Sequence, residues 1–325
     1  MLTRKTIGFL IKIGIVALAL FFLYQQLNLK SGVDKHSVDD IIAKLKVNYI
    51  IVIVVVFMMF LNWFLEALKW RFLIAKIEKV SIKRSLRAIF SGITVSAFTP
   101  NRVGEYGGRV FCLDKADRIQ AVLITVIGSM AQLLTTIIFG SIGLLYLPTY
   151  QSDFSLFFDK VSFAYPVFAF ILILLNVLLI LLFLNVSVLT SVLTKISFLK
   201  KFEKYNGVFS FYSFEELLKV LGYSVARYVV FTTQFFILLQ LFDVQILYAD
   251  AIILIMSMLF VISVIPTIAI TEIGVRGSVA LFLFGLVSAN TVGILSATFV
   301  LWIINLLIPS LIGVVFIFTL KFFRK

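Results

Sequence analysis

Residues 161–185 read VSFAYPVFAFILILLNVLLILLFLN, an apolar run without Asp, Glu, Lys or Arg. A helix needs about 20 mostly apolar residues to cross the hydrocarbon core of a bilayer. This stretch therefore predicts a transmembrane helix. Because similar stretches recur along the chain, the sequence predicts an all-α, polytopic integral membrane protein.

The composition of the whole chain agrees with a lipid environment. Of the 325 residues, 62% are hydrophobic and 14% are charged, whereas soluble proteins average about 45–50% and about 25%. This excludes a disordered chain, a disulfide scaffold and a nucleic-acid-binding protein. The lone Cys112 and His36 exclude an internal disulfide and a His-based metal site. The net charge of +13 indicates basic cytoplasmic loops.

Two apolar segments are too irregular to be simple spans. Leu86–Thr99 is short and runs into Pro100, and Ala251–Ile270 is interrupted by Pro266. We interpret both as re-entrant or broken segments, which are tolerated at membrane depth only when buried in protein or lining a wet cavity. The six stretches predicted to cross fully are Ile7–Leu27, Asn48–Leu68, Ala121–Leu147, Val161–Asn185, Leu217–Leu241 and Asn290–Leu320.

Lys and Arg are concentrated near both termini, in segment 69–87 and in the connector 186–219. Cytoplasmic loops carry the excess of basic residues. We therefore expect a multi-pass protein of the cell (inner) membrane, with both termini and the basic connector in the cytoplasm.

The irregular segments occupy matching positions in two halves of a single transmembrane domain, residues 1–325. The first predicted repeat, 48–147, contains the re-entrant segment 86–118, and the second, 217–320, contains 251–287. The topology gives the two repeats opposite orientations. Broken helices at corresponding positions of inverted repeats indicate a transporter-type site near the midplane.

The first irregular segment contains TPNRVGEYGGR, and the order Thr99-Pro100 favours a helix start at that point. A helix that begins there would place its two arginines and its glutamate on one face and direct free N–H groups at an anion. Gly104 would permit close approach of a backbone or ligand. The candidate ligand-contacting residues of this segment are Thr99, Pro100, Arg102, Gly104, Glu105 and Arg109.

The second irregular segment repeats the plan with Glu272, Gly274 and Arg276. An ionised side chain at the centre of a membrane helix costs about 2.5–3.5 kcal/mol, so the charges of both clusters together would cost roughly 12–18 kcal/mol if unpaired and dry. Three interpretations remain open: cytoplasmic interfacial charges, a structural salt-bridge network between the halves, or an anion site in a wet cavity. We favour the third, with the two clusters facing one another across the cavity.

Three further charged residues lie in or beside predicted spans. Glu66 and Lys69 are spaced as neighbours on a helix, and we expect them to form an interfacial pair. Arg227 lies inside the fifth span, and the sequence does not identify its partner.

The block SAFTPNRVGEYGGRVFCL at 96–113, preceded by EALKWRFLI at 66–74, resembles the transmembrane region of bacterial lysylphosphatidylglycerol synthases. That region also occurs as stand-alone membrane proteins. The second cluster departs from the pattern of this family, because Glu272 precedes the glycine in TEIGVRGSVA. The recurring Pro-x-x-x-Gly-Glu-x-x-x-Arg pattern of the family falls on Pro100, Gly104, Glu105 and Arg109.

The resemblance implies a flippase, since this region is the flippase part of the bifunctional synthases and an aminoacyltransferase domain follows it there. No such domain follows Lys325, so we expect no enzymatic activity. The leading hypothesis is a bacterial lipid translocase for an amphipathic lipid with an anionic phosphate group, working in the membrane without cofactor or nucleic acid. The alternatives are a secondary transporter of a small organic anion and a non-transporting partner of a separate lipid-modifying enzyme. A membrane enzyme is disfavoured because the sequence shows no nucleotide loop, metal-ligand cluster or nucleophile constellation.

Overall fold

The computed structural model describes residues 4–28, 35–99, 102–150, 164–185, 207–265 except 209, and 269–320 except 319. Within these residues the secondary structure is helical and no strand occurs. The helices are α1 (Arg4–Asn28), α2 (Lys35–Val47), α3 (Tyr49–Ile74), α4 (Ile82–Ser96), α5 (Gly104–Val110), α6 (Arg118–Tyr146), α7 (Ala164–Leu184), α8 (Phe214–Leu241), α9 (Tyr248–Val264), α10 (Ala269–Phe284) and α11 (Thr291–Ile317).

Five of the described helices are long and apolar enough to cross a membrane: α3, α6, α7, α8 and α11. They match five of the six predicted spans. The remaining prediction, Ile7–Leu27, falls within α1, where Phe9–Leu18 forms a shorter apolar stretch. The prediction of an all-α polytopic membrane protein is confirmed.

Polar side chains fix where several helices begin. At the start of α8, the Ser213 hydroxyl accepts from the Glu216 N–H and the Glu216 carboxylate accepts from the Ser213 N–H, which forms a capping box. At the start of α6, the Asp117 carboxylate accepts the N–H groups of Ile119 and Gln120. These caps satisfy amides that a helix cannot bond internally.

The two irregular segments form helical hairpins, α4–α5 and α9–α10. Glu78 precedes the first hairpin. Its carboxylate accepts the N–H groups of three residues that come after the hairpin, Asp114, Lys115 and Ala116, at 2.7–3.1 Å. Asn290 follows the second hairpin and donates to the carbonyl groups of Phe242 and Asp243, which precede it, both at 3.0 Å. Each hairpin therefore begins and ends at the same place in the molecule.

Small residues let the first hairpin pack tightly. A Cβ atom added to Gly108 in α5 would lie 2.6 Å from Cα of Gly92 in α4, so the two backbones are in direct contact. On its other side α4 meets α11, where a Cβ on Gly313 would lie 2.1 Å from the Phe90 carbonyl oxygen. The α4 helix is thus held between the other arm of its hairpin and the last span.

Polar contacts connect the loops between the helices into two separate groups. Lys76 pairs with Glu216 at 2.7 Å, and the Tyr212 hydroxyl donates to the Leu73 carbonyl at 2.8 Å, which joins the loop after α3 to the start of α8. In the second group, the Tyr150 hydroxyl, which follows α6, donates to the Asp250 carboxylate at the start of α9 at 2.5 Å. The inverted repeat and the membrane orientation built on it stay predictions. Residues 186–206 of the predicted basic connector lie outside the described residues.

Candidate functional site: a buried ionic network around a cavity

Glu66 on α3 is the centre of the largest group of buried charges among the described residues. It is only 4% exposed. Its carboxylate accepts from Arg109 Nη1 at 2.7 Å, pairs with Lys69 Nζ at 2.8 Å, and also pairs with Arg227. The expected Glu66–Lys69 pair forms, but both side chains are buried instead of interfacial, because α3 packs against α4, α6 and α8.

Lys69 shows how completely this part of α3 is enclosed. Its side chain is 1% exposed, and its ammonium group donates to the Gly128 carbonyl at 3.1 Å and to the Ser224 hydroxyl at 3.3 Å. A buried ammonium needs such partners, because an unpaired charge in a low-dielectric interior costs several kcal/mol. The residue therefore joins α3, α6 and α8.

Arg227 on α8 has partners that the sequence did not identify. Its Nε donates to the Asn62 side-chain oxygen at 2.9 Å and to the Asn62 carbonyl at 3.2 Å. Its Nη1 donates to Gln132 at 3.2 Å as well as to Glu66. The guanidinium also lies 5.2 Å from the centre of the Trp63 ring, within range of a cation–π interaction.

The first hairpin differs from the predicted helix start. Pro100 lies outside the described residues, and helix α5 begins at Gly104 instead of beside Thr99. The Thr99 hydroxyl accepts from the Gly104 N–H at 2.9 Å. A Cβ on Gly104 would lie 2.6 Å from a backbone carbonyl oxygen of α4, so this close approach requires glycine.

As a result, the three charged residues of this segment do not share one helix face. Arg102 precedes α5 with a φ of 57°, a left-handed conformation that is costly for a residue with a side chain. Arg109 is 3% exposed and binds Glu105 and Glu66. Arg109 is therefore directed toward Glu66 instead of the second cluster, while Glu105 stays close enough to Arg102 to interact with it electrostatically.

Arg102 alone reaches the second hairpin. Its Nη2 lies 2.7 Å from Glu272 Oε1, and the same oxygen accepts from Arg276 Nε at 3.0 Å. The structure thus brings together Arg102, Glu272 and Arg276, which join the turn of one hairpin to the second helix of the other. Gly274 lies apart on an exposed face, where an added Cβ would meet nothing within 4 Å.

A cavity of about 110 Å³ lies between the two groups of charges. Three guanidinium groups from three different elements line it, those of Arg102, Arg227 and Arg276. Its other lining residues are Asn62, Trp63, Phe231, Phe235, Met258, Leu259, Thr298, Leu301, Trp302, Asn305 and Leu306.

Several polar atoms of the lining residues lack a protein partner in the described structure. The indole N–H groups of Trp63 and Trp302 and the side-chain oxygen of Asn305 are buried without a hydrogen bond. Buried polar groups are nearly always bonded, so each such atom needs a water or a ligand. Asn305 lies in the π-helical turn Ile303–Leu307 of α11, and such turns are frequent at functional sites.

The ionic groups around the cavity carry an excess of positive charge. The Glu66 network has three cations and two carboxylates, and the Glu272 network has two cations and one carboxylate. Each network therefore has a formal charge of +1, and together they carry +2. An arginine-lined cavity with this balance suits an anion. The eight members are Glu66, Lys69, Glu105, Arg109, Arg227, Arg102, Glu272 and Arg276.

Comparison with protein families agrees with this architecture. A model described as the lysylphosphatidylglycerol synthase TM region matches residues 9–313, nearly the whole chain. The chain belongs to the lysylphosphatidylglycerol synthase transmembrane-region family. No curated protein matches it at a significant level.

In this lysylphosphatidylglycerol synthase transmembrane-region protein, both hairpins and the whole ionic network lie inside the matched range. The sequence identified the charges of the hairpins but missed Glu66, Lys69 and Arg227 as members of the network. A signal was available, since a span that contains both a carboxylate and a lysine on one face needs a buried partner for them.

Proposed function

We propose that this protein is a lipid translocase that moves a lipid with an anionic phosphate group across the bacterial inner membrane. The cavity lined by Arg102, Arg227 and Arg276 is the observation that carries the proposal. Moving a lipid between leaflets requires its charged headgroup to enter the hydrocarbon layer, and a charge there costs several kcal/mol. Guanidinium groups that already lie inside the protein would lower that cost by pairing with the phosphate.

Membership of the family supports the same proposal, since the family region is a flippase-like domain without catalytic function. We accordingly propose a non-enzymatic role, with a phospholipid or other lipid as substrate, the membrane as environment and a separate lipid-modifying enzyme as functional partner. Both termini and the basic connector 186–219 are proposed to lie in the cytoplasm.

Reconstitution tests this proposal directly. The purified chain is placed in liposomes with a fluorescent phospholipid, and the loss of fluorescence after an impermeant quencher is added measures lipid movement between leaflets. We expect faster exchange than in protein-free liposomes. Exchange no faster than in liposomes with an unrelated polytopic protein would contradict the proposal.

The size of the cavity favours a second candidate function, the transport of a small organic anion. A volume of about 110 Å³ holds a phosphate-sized group but not a whole lipid headgroup with its glycerol backbone. Uptake of a soluble organic anion into the same liposomes, together with lipid exchange no faster than in protein-free liposomes, would support this second function over the first.

A further inference from the structure

The size of the excess positive charge around the cavity, and not only its sign, restricts which anion the cavity can bind. Each network holds one more cation than it has carboxylates, and the members are joined by ion pairs. Among the described residues that line the cavity, the only charged side chains are Arg102, Arg227 and Arg276. The excess of +2 therefore has no counter-charge in the cavity wall.

We propose that the cavity binds a phosphomonoester, whose phosphate group carries two negative charges, in preference to a phosphodiester, which carries one. The proposal rests on the function proposed above and specifies the chemistry of its substrate. A dianion neutralises the formal +2 of the two networks, whereas a diester would leave one positive charge without a counter-charge from the protein or the ligand.

The hydrogen-bonding groups of the wall support the same ligand. The unbonded N–H groups of Trp63 and Trp302 are donors, and both residues line the cavity with the three arginines. A phosphomonoester presents three terminal oxygens that accept hydrogen bonds, while a diester presents two. The monoester therefore satisfies more of the donors. The unbonded Asn305 oxygen suits the proton of a hydroxyl or water beside the phosphate.

Two sources could supply this group, a lipid or a soluble molecule. Binding of phosphatidate, phosphatidylglycerol and glycerol 3-phosphate to the full chain in neutral detergent would distinguish them, at a pH above about 7 where the monoester is mostly dianionic. We expect phosphatidate to bind about tenfold more tightly than phosphatidylglycerol, the effect of one additional charge-assisted hydrogen bond.

Variants that change the charge around the cavity give a second test of the preference for a phosphomonoester. Arg276→Gln lowers the combined charge to +1 and should abolish the preference for phosphatidate. Lys219→Gln removes the same charge from an exposed site over the Phe72 ring and should leave the preference unchanged. If Arg276→Gln does not fold, Glu105→Gln serves instead; it raises the charge to +3 and should strengthen the preference.

The outcomes separate this inference from the proposed function. Equal binding of phosphatidate and phosphatidylglycerol, or an equal loss of preference in Lys219→Gln, would overturn the inference while lipid exchange in liposomes could still support a translocase. Glycerol 3-phosphate binding as tight as phosphatidate binding would support the phosphomonoester site and assign it to a soluble anion. Failure of all three ligands to bind would overturn the inference outright.

Discussion

Among single residues, Glu66 makes more buried ion pairs than any other described residue. Its one carboxylate is paired with Lys69, Arg109 and Arg227, which come from three helices. Removing one member of a buried ion pair leaves the others as uncompensated buried charges, and this costs about 3–5 kcal/mol. The carboxylate is thus a structural requirement of the network.

We predict that Glu66→Gln lowers the free energy of unfolding in detergent by about 3–5 kcal/mol. Glu215→Gln, which removes an exposed carboxylate at the start of α8, should change it by about 0.5 kcal/mol or less. Denaturant titration of both variants measures the difference. Equal stability of the two would show that the network does not hold the helices together.

Glu78 lies in the loop between α3 and α4 and makes stability depend on pH. Burial raises the pKa of its carboxyl, but the N–H groups of Ala116, Asp114 and Lys115 and the nearby Arg84 outweigh this effect. Its pKa is therefore below the ordinary value. A carboxyl with a lowered folded-state pKa stabilises the fold above its unfolded pKa, about 4.3, and this contribution is lost as the pH falls through the folded-state value.

We predict that Glu78→Gln lowers the melting temperature at neutral pH and that the difference from wild type shrinks as the pH falls below about 4. Asp39→Asn, at an exposed carboxylate of α2, is the control and should have no such effect. A Glu78→Gln difference that stays constant down to acid pH would contradict the assignment.

The residues also show how far the sequence could predict the site. Two clusters of charge beside prolines indicated Arg102, Glu272 and Arg276, because charges in apolar segments must be compensated. The partnership of Glu66 with Arg227 could not be predicted, since these residues are 161 positions apart and meet only through the packing of α3 on α8. Their spacing along the chain carries no information on that contact.

Among the helices, the first hairpin depends on close contact between two backbones. α5 is a short helix whose Gly108 touches the backbone of α4 at Gly92. Since Arg109 follows directly, any shift of α5 moves a member of the Glu66 network. The helix is interrupted between Ser96 and Gly104, in the segment where the sequence predicted a break. The sequence placed the next helix start at Thr99-Pro100 because it could not reveal that the Thr99 hydroxyl accepts from the N–H of Gly104.

We predict that Gly108→Ala destabilises the protein by about 1–3 kcal/mol, because the new methyl group would overlap backbone atoms that cannot rotate away. Gly274→Ala is the matched control. Its methyl group would meet open space, and alanine favours a helix by about 1 kcal/mol, so stability should stay the same or rise. Thermal unfolding in detergent compares the two, and similar losses for both would refute the packing argument.

For the whole molecule, the two hairpins are closed by contacts in different loop groups. Glu78 holds the ends of one hairpin, and Asn290 holds the ends of the other. If the inverted repeat is correct, these closures face opposite sides of the membrane. The apolar spans were predictable from length and hydropathy alone, whereas the pairing of the hairpins needed the tertiary structure.

We predict that cysteines placed at Lys115 and Ala289, in a Cys112→Ser background, react with an impermeant thiol reagent from opposite sides. Position 115 should be labelled from the cytoplasmic side and position 289 from the outside. Intact cells and inside-out vesicles give the two readings. Labelling of both positions from one side would contradict the inverted repeat.

We propose that a lipid phosphate crosses the membrane by way of the arginine-lined cavity. The rate of lipid exchange in liposomes for Arg276→Lys tests it most directly, because lysine keeps the charge but loses the planar guanidinium that binds phosphate through two hydrogen bonds. We predict exchange about tenfold slower than wild type at an unchanged melting temperature, the loss of about one charge-assisted hydrogen bond. The exposed Lys219→Arg should exchange at the wild-type rate. A wild-type rate in Arg276→Lys would place the lipid path elsewhere.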